Sequence, residues 1–149
     1  AVLHDGPTVI VLSRQNITVT TDGEAVCTGA AVVYPADTPQ VVLAATGSEV
    51  ALCTQAAEQL AATGIAAQVV SMPSWDRFDE QSDDFKAGVF PTGVPVLSVE
   101  AGVTFGWAKY ADASIGIDRF GASAPGGLVL DKLGINVDNV VAQATTLAN

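Results

Sequence analysis

Continuous apolar runs without alternation are the feature that most restricts how this chain can fold. Three such runs stand at residues 40–46, 67–72 and 94–99. Side chains in runs of this kind meet apolar surroundings on both sides, as in a parallel sheet whose two faces are covered. Between the first two runs, apolar residues recur at helical spacing from Val50 to Ala61. Alternating strands and helices predict an α/β domain with a largely parallel sheet covered by helices on both faces.

The same patterns place the remaining elements. Further strands are predicted at residues 8–12, 29–34 and 114–117, and the first is apolar after its threonine, which indicates burial on both faces. Helical turns or helices are predicted at residues 74–87 and 105–110, from 123–125 to Gly134, and after the cap Asn136. Residues 16–25 are polar and are predicted to form a loop or linker.

Length and charge narrow the class of protein. A chain of 149 residues, 49% of them hydrophobic, can form one domain with its own core. The net charge of −10 argues against nucleic acid or an anionic membrane as a partner, because both need a basic surface. No apolar run approaches the roughly 20 residues of a membrane span, and no basic segment precedes an apolar stretch as in a signal peptide. We therefore expect a soluble, cytoplasmic protein.

Residues that bind metals or form disulfides are few. Cys27 and Cys53 share no short spacing, and we interpret them as two buried free thiols rather than a disulfide. His4 is the only histidine and has no cysteine pair near it, so a zinc site is not expected and His4 is assigned no role.

Arg14 is the first candidate site residue. It follows an apolar run in "VIVLSRQN", residues 9–16, and it is one of only three arginines. Its planar guanidinium suits bidentate binding of a phosphate or carboxylate, and the strand before it would fix its position. A salt bridge to one of the sixteen acidic residues is the alternative.

Three other stretches each permit a functional and a structural interpretation. The strand-to-helix turn "ATGSEV", residues 45–50, could bind an anion on free amides, although Glu49 would repel it. The acidic run at 76–84 could hold a divalent metal or supply helix caps and a solvated face. Glu100 ends a buried strand, where it could act in catalysis or simply form hydrogen bonds. Arg119, beside Asp118, is interpreted as part of a surface ion pair.

Seven segments occur in an order that resembles the carboxyl-terminal part of transketolases. The resemblance covers residues 5–144, and "SRQN" and "SMPSWDRFDEQ" are its specific motifs, whereas "ATGSEV" is shared with related thiamine-dependent enzymes. The segments are "DGPTVIVLSRQN", "ATGSEV", "VVSMPSWDRFDEQ", "SVEAG", "GWAKY", "DRFGASAPGG" and "GINVDNVVAQA".

The resemblance implies a three-layer α/β/α fold with a five-stranded, mostly parallel mixed sheet. Residues 1–20 would be the tail of the preceding pyrimidine-binding domain and a linker, and residues 21–149 would be the C-terminal domain. The chain would then be a fragment that contributes scaffold and dimer contacts and is inactive alone.

The activity implied is transfer of a two-carbon ketol unit between sugar phosphates, in the pentose phosphate pathway, by a homodimeric parent enzyme. Thiamine diphosphate and a divalent cation, magnesium or calcium, would be held by domains outside this chain, so no cofactor-binding or catalytic residue is assigned here. Arg14 matches the arginine of "SRQN" that grips the substrate phosphate in that family.

Other functions remain open at this point. The chain could be an independent α/β ligand-binding or regulatory module with "TGSEV" as its ligand turn. It could also belong to a related thiamine-dependent enzyme, such as a deoxyxylulose-phosphate synthase or a ketoacid dehydrogenase β-subunit, or to a split transketolase.

Overall fold

A five-stranded mixed sheet forms the centre of the computed structural model, which describes residues 4–12, 14–21 and 23–149. The strand order is β1-β3-β2-β4-β5, and only β1 runs antiparallel to its neighbour. The predicted class, α/β with a mostly parallel mixed sheet, is confirmed. The strands are β1 (Ala31–Tyr34), β2 (Val41–Ala45), β3 (Ala67–Ser71), β4 (Val96–Val99) and β5 (Ala113–Ile115).

Helices cover both faces of the sheet. Leu43 and Leu97 face one side, where they pack against Leu60 of α2 and Val140 of α6. Val42 faces the other side, in a second apolar cluster that contains residues of α3 and α4. The sheet is thus the middle of three layers. The helices are α1 (Glu24–Thr28), α2 (Glu49–Ala62), α3 (Trp75–Asp79), α4 (Asp83–Val89), α5 (Gly126–Lys132) and α6 (Val137–Ala148).

The two long helices begin and end where the sequence predicts. α6 starts after Asn136, whose side chain accepts a hydrogen bond from the Asn139 amide at 2.9 Å and so satisfies one free backbone donor. α2 buries the stripe that contains Val50 and Leu60. It ends before Gly64, which adopts a left-handed conformation with φ of 86°.

The strand predicted at residues 8–12 is absent from the fold, and this prediction is wrong. These residues have no regular secondary structure, and Val9, Val11 and Leu12 are between 81% and 90% exposed. A strand needs a neighbour to satisfy its backbone donors and acceptors, and none of the described residues pairs with this segment. Its apolar character therefore has no partner within the described chain.

Two local predictions also need correction. The helix expected at residues 105–110 is only a single 3₁₀ turn, Trp107–Lys109, because the segment is short and Trp107 is drawn into the core. The linker predicted at residues 16–25 runs into the five-residue helix α1, which glycines flank on both sides. Among the described residues, no helix has the length and apolar character needed to cross a bilayer.

Asp79, at the end of α3, ties three segments together. Its carboxylate accepts hydrogen bonds from the Lys109 ammonium and, at 3.0 Å, from the Tyr110 hydroxyl. Lys86 of α4 donates to its backbone carbonyl at 2.7 Å. The hydrogen bond from Lys109 lowers the pKa of Asp79 below its usual value, and the bond from Tyr110 adds to this effect. One carboxylate thus anchors the 3₁₀ turn against α3.

Replacing Asp79 with Asn should lower the free energy of unfolding at pH 7, because the ion pair with Lys109 is lost. Since the pKa of Asp79 is lowered in the folded state, its contribution is present above the ordinary aspartate pKa and is lost as the pH falls through the lowered value. Urea unfolding at pH 7 and at successively lower pH measures this, with the exposed Asp37→Asn as the control. A difference between wild type and variant that persists at low pH would contradict the assignment.

Candidate functional site

Arg14 lies in an exposed bend after the apolar segment. Within the described residues its guanidinium has neither an ion-pair nor a hydrogen-bond partner, so the alternative salt bridge is not formed there. Ser13, the residue before Arg14, lies outside the described residues. Phosphate binding by Arg14 stays a prediction.

The carboxyl ends of β2 and β4 meet at the point where the chain changes direction across the sheet. From β2 the chain crosses through α2 to β3 on one side, and it later returns to β4 on the other side of β2. In open α/β sheets the crevice at such a switch point is the usual place for a ligand. Thr46 and Glu100 directly follow these two strands, so the fold brings the "ATGSEV" turn and Glu100 together.

A hydrogen bond joins the two predicted sites. The Thr46 hydroxyl donates to Glu100 Oε2 at 2.6 Å, although the residues are 54 positions apart in sequence. Sequence reasoning treated them as separate candidates and missed this contact. Both residues follow apolar runs, which indicates that they lie at one edge of a parallel sheet, but only the strand order makes β2 and β4 neighbours.

Glu49 completes a small cluster of carboxyl groups at this crevice. It is only 6% exposed, and the Ser48 hydroxyl donates to its Oε1 at 2.8 Å. Burial raises the pKa of Glu100, and the neighbouring charge and hydrogen bond of Glu49 raise it further, against the opposing bond from Thr46. The two carboxyl groups place negative charge where an anion would approach the first turn of α2.

The acidic run at residues 76–84 forms caps and ion pairs. The Ser82 hydroxyl accepts from the Phe85 amide at 3.3 Å and caps α4. Arg77 lies 3.9 Å from Glu80, and Asp79 binds Lys109 and Tyr110 as described above. Among the described residues, no group of three or more His, Cys, Asp or Glu side chains could hold a metal ion. The structural interpretation accounts for the contacts of this run.

The surface ion pair predicted between Asp118 and Arg119 is wrong. Asp118 instead accepts hydrogen bonds from the amide and the hydroxyl of Thr104, both at 2.8 Å, and these bonds lower its pKa. An amide and a hydroxyl on one residue match both carboxylate oxygens, which leaves Arg119 without an ion pair in the part of the chain described here.

The two cysteines are free thiols in different environments. Cys53 lies on the buried face of α2, and burial raises the pKa of its thiol. Cys27 is exposed on α1, so the prediction that both thiols are buried is wrong for this residue. The helix α1 was not foreseen, and its outer face carries Cys27 into solvent.

Comparisons with known proteins agree with the fold. Residues 29–136 match the family model described as the transketolase-like TK C-terminal domain. A transketolase of Halalkalibacterium halodurans is 46% identical over 96% of this chain and 23% of its own length. One from Nostoc sp. is 44% identical over 97% of this chain and 22% of its own length.

Solved structures give the same result. A transketolase from Leishmania mexicana superposes with a TM-score of 0.83 at 45% identity, over 87% of this chain and 19% of that one. A transketolase variant from Pichia stipitis gives a TM-score of 0.86 at 36% identity, over 91% and 20%. The chain thus spans less than a quarter of the length of these relatives. With a matching sheet and a family model that covers most of its residues, the chain belongs to the transketolase-like C-terminal domain family.

Proposed function

We propose that this chain is the C-terminal domain of a cytoplasmic transketolase that moves two-carbon ketol units between sugar phosphates in the pentose phosphate pathway. The observation that carries the proposal is the identity of 44–46% to transketolases over almost the whole chain, including the exposed segment before α1. The chain itself would act as scaffold and dimer contact in a homodimeric parent enzyme.

Thiamine diphosphate and its divalent cation do not fit the residues described here. The crevice at the ends of β2 and β4 holds Glu49 and Glu100, which would repel a diphosphate. The described residues offer no cluster of metal ligands either. These observations support the proposal that the cofactor chemistry belongs to the other domains of the parent and that this domain serves as scaffold.

Arg14 is the residue through which this chain would contact substrate. It is exposed, it has no described partner, and few other cations offset the net charge of −10. In the parent enzyme its guanidinium would bind the phosphate of the sugar through two parallel hydrogen bonds. The apolar residues 9–12 before it would pair with a neighbouring strand of the preceding domain and so fix its direction.

An independent ligand-binding module built on "TGSEV" is less well supported. The polar side chains at this turn already bond to one another, with Thr46 on Glu100 and Ser48 on Glu49. An anionic ligand would have to displace these bonds and approach two carboxyl groups. The polar side chains of the turn are better explained by the hydrogen bonds that they make within the crevice than by a bound ligand.

The isolated chain should show no ketol transfer. Catalysis of this type depends on carbanion chemistry supplied by the cofactor, which we propose is bound by the other domains of the parent. Pure chain with thiamine diphosphate, magnesium, xylulose 5-phosphate and ribose 5-phosphate should give no product, whereas the full-length parent should turn over. Product formation by the pure chain would refute the scaffold role.

Replacing Arg14 with Ala in the full-length parent should weaken the interaction with phosphorylated substrates by about 2–5 kcal/mol. This is the usual loss when one partner of a close charge pair is removed. The loss should appear in KM if the contact is equal in ground and transition states, and in kcat if it also orients the reacting carbonyl. The measurement compares kcat/KM for ribose 5-phosphate and glycolaldehyde, each with hydroxypyruvate as donor.

The unphosphorylated acceptor glycolaldehyde should be nearly unaffected by this change, because it never uses the contact. Arg77→Ala, which removes an exposed arginine from α3, serves as the matched control and should leave kcat/KM unchanged for both acceptors. Equal losses for the two acceptors with the Arg14 variant would show that Arg14 is structural.

Replacing Glu100 with Gln should stabilise the domain at pH 7 but not below about pH 4, the ordinary range of a glutamate pKa. Because the pKa of Glu100 is raised in the folded state, wild-type stability falls as the pH rises through that raised value. The amide of Gln can still accept from Thr46 and can donate to Glu49. Urea unfolding at both pH values tests this, with the exposed Glu58→Gln on α2 as control. A variant less stable than wild type at pH 7 would contradict the conclusion that burial and the neighbouring Glu49 disfavour a charged Glu100.

A further inference from the structure

A cavity of about 760 Å³ lies beside β1, the edge strand at the opposite end of the sheet from β5. Its wall is formed by four parts of the chain, which are residues 19–21, helix α1, strand β1 with the residue before it, and helix α4. Pockets in which proteins bind small molecules have volumes of roughly 300–1,000 Å³. The cavity is therefore large enough to accept a small organic molecule.

Most of the cavity wall is apolar. Phe85 and Val89 of α4, Val32 of β1 and Ala25 of α1 all contribute to it. Val89 and Ala25 are each only 4% exposed, so this part of the wall belongs to the packed structure of the domain. An apolar ligand would lose water-exposed surface here, and burial of such surface contributes roughly 25 cal/mol per Å².

The described residues that line the cavity include no charged side chain. This is notable because the chain contains sixteen acidic and six basic residues. A charged ligand would lose its hydration in the cavity without gaining a counter-ion. A sugar phosphate, a nucleotide or a metal ion is therefore poorly suited to this cavity, whereas a neutral molecule is not penalised.

A few polar groups accompany the apolar wall. Thr20, Thr21 and Thr28 line the cavity, and the Thr28 hydroxyl donates to the Ala30 carbonyl at 3.0 Å. Among the described strands, β1 pairs only with β3, and alternate backbone groups of such an edge strand point away from its partner. Hydroxyl and backbone groups in small number are the usual means by which an apolar pocket orients its ligand.

One side of the cavity is formed by an exposed segment, residues 19–21. Val19 is 88% exposed, and Thr20 is exposed as well. A ligand in the cavity would contact this segment on one side and α4 on the other, and it would bury apolar surface of both. Ligand binding therefore stabilises the arrangement in which residues 19–21 lie against the domain.

We propose that this cavity binds a neutral, mostly apolar small molecule with one or two hydrogen-bonding groups, which holds residues 19–21 against α4. The inference goes beyond the proposed function and does not rest on it, because every wall residue belongs to this chain.

The test uses a pair of dyes that differ in charge. N-Phenyl-1-naphthylamine is neutral, has one N–H donor and fluoresces in apolar surroundings, and 8-anilinonaphthalene-1-sulfonate adds a sulfonate to the same skeleton. The full-length protein should bind the neutral dye at this cavity at least about tenfold more tightly than the sulfonate, a difference of about 1.4 kcal/mol. Equal affinities, or tighter binding of the sulfonate, would overturn the inference.

Variants of Gly88 assign the bound dye to the cavity. Gly88 lines the cavity, and an added Cβ atom would meet nothing within 4 Å. Gly88→Leu should fill part of the cavity and weaken binding of the neutral dye at least about tenfold, whereas the matched control Gly88→Ala should stay within about threefold of wild type. Neither change should lower the urea midpoint, because the added atoms have room. Unchanged dye affinity in Gly88→Leu would refute the site.

Amide hydrogen exchange of the wild type supplies a measurement that needs no variant. The neutral dye should slow exchange in residues 19–21 and in α4 together, and α6, on the opposite face of the sheet, serves as the internal control. Protection of α4 without protection of residues 19–21 would contradict the proposed placement of this segment.

The isolated chain distinguishes a ligand site from a surface that the rest of the polypeptide covers. The neutral dye should protect the same residues in the isolated chain and in the full-length protein. Protection in the isolated chain alone would show that the cavity is occupied by the remainder of the parent, and it would overturn the inference.

Discussion

The structure depends on β2 being enclosed from every side. Its five residues are all fully buried, between β3 and β4 in the plane of the sheet and between helices above and below. A strand in this position must be apolar on both faces, since any polar side chain would lose its hydration without a partner. The covering helices α2 and α6 on one side, and α3 and α4 on the other, follow from that single requirement.

The elements that could be predicted are those whose signal is contained in their own residues. The run at 40–46 identifies β2, and Asn136 and Gly64 mark ends of α6 and α2 through local hydrogen bonds and backbone conformation. The predicted strand at 8–12 fails because a strand is defined by its neighbour, and no described residue provides one. The short helix α1 was missed because five residues are too few to show a helical periodicity.

The candidate site divides in the same way. Arg14 could be chosen from the sequence because it is one of three arginines and directly follows an apolar run. Both features can be recognised without knowing where the run lies in the fold. The bond between Thr46 and Glu100 could not be foreseen without the strand order, since it requires β2 and β4 to be neighbours. Asp118 was assigned to Arg119 by sequence adjacency, whereas the fold offers it two donors on Thr104.

The strand order also sets how this domain can fold. No two neighbouring strands before β4 are joined by a tight hairpin, and β2 pairs with β3 and β4 only after long intervening segments. Contacts between residues far apart in sequence slow folding, because the loop between them must close before the contact stabilises anything. During synthesis α3 and α4 emerge before β4, so the sheet face that they cover can be closed early. The edge of β2 that pairs with β4, and the part of the opposite face that α6 covers, stay open to solvent and to other chains until those two elements are made.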